Sequence, residues 1–200
     1  MSFLVAGCNH WIGFHIVNEL LEEGYTVAGI LNEDGNENLP LYFGRNSSFS
    51  MVKADSMNNY DTAIIIDEIQ STENIQADRI VKIGGTIVNN EKVTLIKIPL
   101  LYGEWMKMNE KGMFRDKAFI PFDSDDFEEK AIYIKDFTNG LIQWLKFGKL
   151  PPHLHVISAK NNEKEGVKLE NSIYLRDNRP NKEKLMPVLD HFKKFKELYD

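Results

Sequence analysis

Several groups of residues in this 200-residue chain have types and spacings that could do chemistry. The first is GCNHWIG, Gly7 to Gly13. Its two glycines hold the outer places of a GxxGxxG spacing, in which tight backbone turning lets a phosphate approach a helix start. His10 occupies the middle place, where a side chain either pushes a pyrophosphate away or touches it. Cys8 and His10 could form a thiolate pair, but a small buried cysteine beside a turn residue is the favoured reading. Asp67 and Glu68 are adjacent carboxylates that point apart on most backbones, which suits a loop or a helix cap better than an acid/base pair. His153 and His155 flank Leu154 on what reads as one strand face, and with no third ligand they argue against a metal site. The acidic run FDSDDFEEK lacks the glycine and the terminal spacing of a calcium loop and reads as solvated surface.

The elements that must position these residues follow from apolar spacing. Phe3 to Val5 is a short strand broken at Gly7, and Ile12, Ile16, Val17, Leu20 and Leu21 mark one face of a helix. Gly24 stands where a helix ends in a left-handed residue, and Thr26 to Leu31 reads as a second strand. Strand, turn, helix and strand make one βαβ unit, which implies a parallel sheet. Asn32 to Ser48 reads as loop, Phe49 to Lys53 as a third strand, and Ala63 to Ile66 as a fourth that is buried on both faces. Ser71 to Ile83 reads as a helix ended by Gly84 and Gly85, with Thr86 to Val88 and Val93 to Ile98 as further strands. Residues 104–130 read as irregular, Ala131 to Ile134 as a strand, and Asp136 as a helix start. Leu154 to Ile157 reads as the last parallel strand, Asn161 to Asn171 as a polar loop, and a C-terminal helix begins near Pro187.

Composition sets outer limits. The chain is 42% hydrophobic and 27% charged, the balance of a globular protein with a sizeable core. Its apolar runs are too short for a bilayer, and Met1 to Ile12 carries no basic leader pattern. A single cysteine excludes an internal disulfide and suits a cytoplasmic setting. The net charge of −6 argues against an extended nucleic-acid surface while leaving room for one small nucleotide. Nothing here fixes an oligomeric state.

Four stretches in order carry a family resemblance: VAGCNHWIGFHIV, KADSMNNYDTAIII, IKIPLLYGEWM and AIYIKDFTNGLIQWL. Together they resemble the extended short-chain dehydrogenase/reductases, the NAD-dependent nucleotide-sugar epimerases and dehydratases. The resemblance implies a doubly wound parallel sheet, a Rossmann-like α/β fold with strand order 3-2-1-4-5-6 and helices on both faces. It places an NAD(P)-binding domain at residues 1–149 and a small C-terminal lobe at 150–200, a shortened substrate region. The positions it implies for NAD or NADP are Gly7, His10, Trp11, Ile12 and Gly13 in the turn, Asn32 after the second strand, and Asp55 beside the adenine. His15 falls on a packing position.

Two departures bear on function. Leu31 stands where an acid should hold the ribose hydroxyls, and Arg45 is the nearest arginine. The family's tyrosine and lysine, a YxxxK pair, are replaced by Gln70 and Asn74, neither of which titrates. The segment from Asp61 to Tyr102 is also about half the family's length, as if a strand and helix were missing. Tyr60 and Tyr102 have no lysine at a helical spacing, whereas Tyr133 has Lys130 and Lys135 nearby, Lys135 on its own strand face. The sequence therefore predicts weak or absent NAD(P) binding and weak or absent hydride transfer. The alternative is a pseudoenzyme that keeps the fold as a cofactor-free binding module.

Overall fold

The computed structural model describes residues 1–56, 58–66, 75–85, 92–115, 117–148, 150–160, 171–175 and 181–199. The chain divides into two compact units, Met1–Lys97 with Ile142–Leu154, and Ile98–Leu141 with His155–Asp200.

In the first unit, β1 (Ser2–Ala6), β2 (Thr26–Ile30), β3 (Phe49–Met51), β4 (Asn59–Ile66), β5 (Gln76–Ile83) and β6 (Val93–Lys97) lie in the order 3-2-1-4-5-6. Every pairing is parallel, with Phe3 opposite Val27 on one side of β1 and Thr62 on the other. Helix α1 (Trp11–Glu22) joins β1 to β2 and buries Ile12, Ile16, Val17 and Leu20. Each such side chain stabilises the fold by about 2 kcal/mol when fully buried. Gly24, at φ 81°, turns the chain from α1 into β2.

Other parallel crossovers are short. Residues 52–58 join β3 to β4, 67–75 join β4 to β5, and 84–92 join β5 to β6. Parallel strands usually need a dozen or more connecting residues, because a helix normally fills the return. Here Val52 and Ala54 of the first of these connections pack on the sheet face formed by Leu4, Ala6, Ala28, Ile30, Ala63 and Ile65. Ala6, Ala28 and Ala63 on that face leave room for Val52 and Ala54 to lie close against it.

The helix expected over Ser71 to Ile83 is corrected for its described part: Gln76–Ile83 is β5. Its burial alternates at Ala77, Arg79, Val81 and Ile83, the period of a strand. Residues 71–74 and the strand expected at Thr86 to Val88 lie outside the described residues. From β5, Arg79 reaches across to the end of a later helix, α3 (Ile134–Lys146), whose last turns belong to this unit. Its guanidinium donates to Thr62 Oγ1 (3.0 Å), Leu145 O (3.2 Å) and Gly148 O (2.8 Å). Leu145 O, a carbonyl that the helix leaves without an intrahelical donor, is thereby capped, and the turn after the helix is held at Gly148 O. Hydrogen bonds from a charged group stabilise by about 1.5–3 kcal/mol, so Arg79→Ala should cost about 2 kcal/mol in urea unfolding. A loss below about 0.5 kcal/mol, the level of an ordinary surface change, would contradict that role.

The second unit begins with β7 (Leu100–Tyr102), which pairs in parallel with β11 (Ala131–Tyr133). Between them, 104–130 is not irregular. It forms an antiparallel sheet of β8 (Met108–Asn109), β9 (Gly112–Arg115) and β10 (Ala118–Pro121), then α2 (Asp125–Lys130). Ser124 caps α2 by accepting from Phe127 N–H, and Asp125, Asp126 and Glu128 favour its positive N-terminal end. Helix α3 starts at Ile134, two residues before Asp136. A strand follows the one expected to be last: β12 (His153–Ser158) pairs in parallel with β13 (Ser172–Leu175). The final helix, α4 (Asn181–Phe195), starts well before Pro187, because Asn181, Leu185, Val188 and Phe192 form one buried face. No described helix is long and apolar enough to cross a membrane.

Candidate functional site at the first turn

At the carboxyl end of β1 the turn is built from backbone. Gly7 sits at φ 88°, and the N–H groups of Gly7 and Cys8 both donate to Ile30 O, at 2.9 and 3.1 Å. The turn is therefore tied to the end of β2. A Cβ placed on Gly13 would lie 2.0 Å from Gly7 O, so α1 packs against the turn only because residue 13 has no side chain. Gly7 and Gly13 thus keep the turning and packing roles of a dinucleotide-binding turn.

The middle of the motif is different. His10 is extended (φ −79°, ψ 142°) and is the N-cap of α1. Its Nδ1 accepts from Ile12 N–H at 3.3 Å, a role more often filled by Ser, Thr, Asp or Asn. Trp11 is the first helical residue, half-buried, with its ring 6.1 Å from that of His10. Ile12 sends its side chain into the core, 5% exposed. His15 packs edge-on against Phe14 at 5.4 Å. Cys8 is fully buried, and burial pushes its thiol up to about 12, which removes the thiolate reading.

Asn9 was not singled out by its sequence, yet its side chain is tied twice to the loop after β2. It is 1% exposed. Its Nδ2 donates to Asn32 O and its Oδ1 accepts from Asn32 N–H, both at 2.7 Å. Asn36 N–H donates to Asn9 O at 3.0 Å. A Cβ on Gly35 would meet the Asn9 carboxamide at 2.3–2.7 Å, so this loop lies directly on it. The structure thus brings Asn32 to the turn, though through its backbone, while Leu31 beside it is 47% exposed. Asp55 stands exposed in the turn after β3. Asp67, Glu68, Gln70 and Asn74 lie outside the described residues.

Tyr133 belongs to the second unit, at the end of β11. Its hydroxyl donates to the Glu104 carboxylate at 2.9 and 3.2 Å. Burial, and then the charge of Glu104, hold its proton well above the ordinary tyrosine range. Neither lysine expected beside it serves it. Lys130 pairs with Asp126 within α2 at 2.6 Å, and Lys135 is an exposed residue of α3 beyond the strand. The cation that approaches is Lys184, 6.0 Å from the ring centroid and paired with Asp136 at 2.5 Å. Nearby in the same unit, His191 Nδ1 and Tyr199 Oη lie 2.7 Å apart, and burial lowers the imidazole's proton affinity. Tyr102 is fully buried and donates to Asn181 O at 3.4 Å, a packing role. Among the described residues no group of three His, Cys, Asp or Glu side chains could hold a metal ion.

No family model and no curated protein matches the sequence. Solved structures do. The dTDP-glucose 4,6-dehydratase of Bacillus anthracis, in complex with NAD, aligns over 99% of this chain and 98% of its own, with TM-score 0.62 and 12% identity. The Thermotoga maritima UDP-glucose 4-epimerase, with UDP-glucose, aligns over 97% and 99%, with TM-score 0.59 and 12% identity. The yeast methylglyoxal/isovaleraldehyde reductase Gre2, with NADPH, aligns over 98% and 100%, with TM-score 0.57 and 16% identity. The first unit's parallel sheet and first turn, together with these likenesses, show that the chain has a Rossmann-like α/β fold.

Proposed function

We propose that this protein is a redox-silent relative of the NAD-dependent nucleotide-sugar epimerases and dehydratases, a pseudoenzyme that uses the fold as a binding module. The observation that carries this reading is the hydrogen bond from Tyr133 to Glu104. Hydride removal from a carbinol needs a group that takes the hydroxyl proton as the carbonyl forms. A neighbouring lysine suits a tyrosine to that task by lowering its pKa, and a neighbouring carboxylate does the opposite. Gln70 and Asn74, at the places where the resemblance puts the catalytic pair, cannot take a proton at neutral pH. Lost proton transfer lowers the rate by about a hundred- to ten-thousand-fold, and binding alone does not restore it.

The test is nuclear magnetic resonance of UDP-glucose, UDP-galactose and dTDP-glucose incubated with the protein and NAD or NADP, because these reactions return the hydride and are read in the sugar. The expected result is no turnover above the protein-free control. Sugar conversion that occurs with the parent protein and disappears in Tyr133→Phe would overturn the reading and identify the base.

A further inference from the structure

We infer that Asn9 and His10 fill, from within the chain, the hydrogen-bonding positions that a dinucleotide takes in this fold, so that the first turn takes up neither NAD nor NADP. In a dinucleotide-binding βαβ unit the pyrophosphate sits on the free N–H groups of the helix N-terminus. An acid near the end of the second strand takes the ribose hydroxyl. Each of those partners is altered here. The Ile12 N–H already has an acceptor in His10 Nδ1. The acid is replaced by Leu31, which can accept nothing through its side chain. The space between the turn and the end of β2 is closed by the Asn9 carboxamide, bonded twice to Asn32 and covered by Gly35.

A dinucleotide would have to expel a side chain that is 1% exposed. It would also have to replace two bonds of 2.7 Å to a single backbone residue. With no acid at position 31, the ribose of NAD brings no new charge-assisted bond in exchange, and against NADP, whose ribose carries a 2′-phosphate, the argument rests on Asn9 and His10 alone. The residues present therefore do not fit the cofactor that the fold implies. Asn9 ties the loop after β2 to the turn, holding together from within two segments that a dinucleotide would otherwise bridge.

This inference is independent of the missing base, because a protein without a base can still hold a dinucleotide. Calorimetric titration of the full chain with NAD and NADP tests it. The parent protein should show no saturable binding up to about 1 mM. The double variant Asn9→Ala/His10→Gly, which empties the turn, should bind at least about tenfold more tightly than the parent. A micromolar dissociation constant for the parent overturns the inference, and so does a folded double variant that binds no better. Amide exchange on the ligand-free parent gives a second reading if the double variant does not fold. Protected Asn32 and Asn36 amides are expected, and exchange at the rate of an open loop overturns the latch. Dinucleotide binding without turnover would sink this inference alone and leave the redox-silent reading standing.

Discussion

Replacing Gly13 by alanine lowers the stability of the protein by about 3 kcal/mol or more, at the upper end of what overpacking costs. No unusual dihedral is at stake, since the position is helical. Space decides it. The added methyl would meet Gly7 O at 2.0 Å, Gly7 C at 2.9 Å and Cys8 Cα at 3.2 Å. All three are backbone atoms, so no side chain can swing away. Helix α1 would have to lift from the turn, loosening Ile16, Val17 and Leu20, which are at most 1% exposed. The consequence is a drop in Tm of about 6 °C or more for a chain of this size. A melting temperature within a degree or two of the parent would mean that α1 does not rest on the turn as described.

The second large effect is expected at Asn181, the buried first residue of α4. Its Nδ2 donates to Phe127 O and Glu128 O at 3.2 Å, and to Ala131 O at 3.5 Å. The side chain thus closes the carbonyl end of α2 and ties α4 to it. Asn181→Asp keeps the shape but turns a carboxylate oxygen toward three carbonyls. A buried charge without a partner costs about 3–5 kcal/mol. The penalty should depend on pH. Burial among carbonyls raises the variant's folded-state pKa above the unfolded value of about 3.9, so the unfolded state gives up its proton first. The difference from the parent is therefore smallest near pH 4 and grows as the pH rises toward neutrality. Urea unfolding of both proteins at a series of pH values checks this, and a penalty that is constant with pH would place the Asn181 side chain in solvent.

How far the chain could be read from its sequence depended on which residues carried local spacing. The βαβ unit was legible because Gly7, Gly13 and Gly24 bracket a clean helical stripe. The strand order 3-2-1-4-5-6 was legible through the resemblance, although its fifth strand comes from a segment read as helix. Ile75, Ile80 and Ile83 suggested a helical face, while the deciding pattern was the alternation of Ala77, Arg79, Val81 and Ile83. That alternation was hidden because Arg79 does not look like an inward residue. It is turned inward by Thr62 and the end of α3. Helix α2 does carry a sign in its sequence, a serine cap followed by acids in the first turn. Pro187 resembled a helix start, but the buried face of α4 runs through it from Asn181.

Within the candidate site, the odd residue was visible and its role was not. His10 interrupts the glycine pattern, yet spacing alone could not show that its ring turns back to cap the helix. Asn9 left no mark, because its partners are the backbone of Asn32 and Asn36, more than twenty residues away. Contacts of a side chain to distant backbone depend on the loop's path, which no local pattern records.

The most direct test of a self-occupied first turn is a crystal structure of the protein grown with millimolar NADP, the turn being the object of interest. The predicted result is a turn without dinucleotide, with the Asn9 carboxamide still bonded to both backbone groups of Asn32 and His10 Nδ1 still facing Ile12 N–H. A bound dinucleotide with its pyrophosphate on Ile12 N–H and the Asn9 side chain displaced from Asn32 would contradict it.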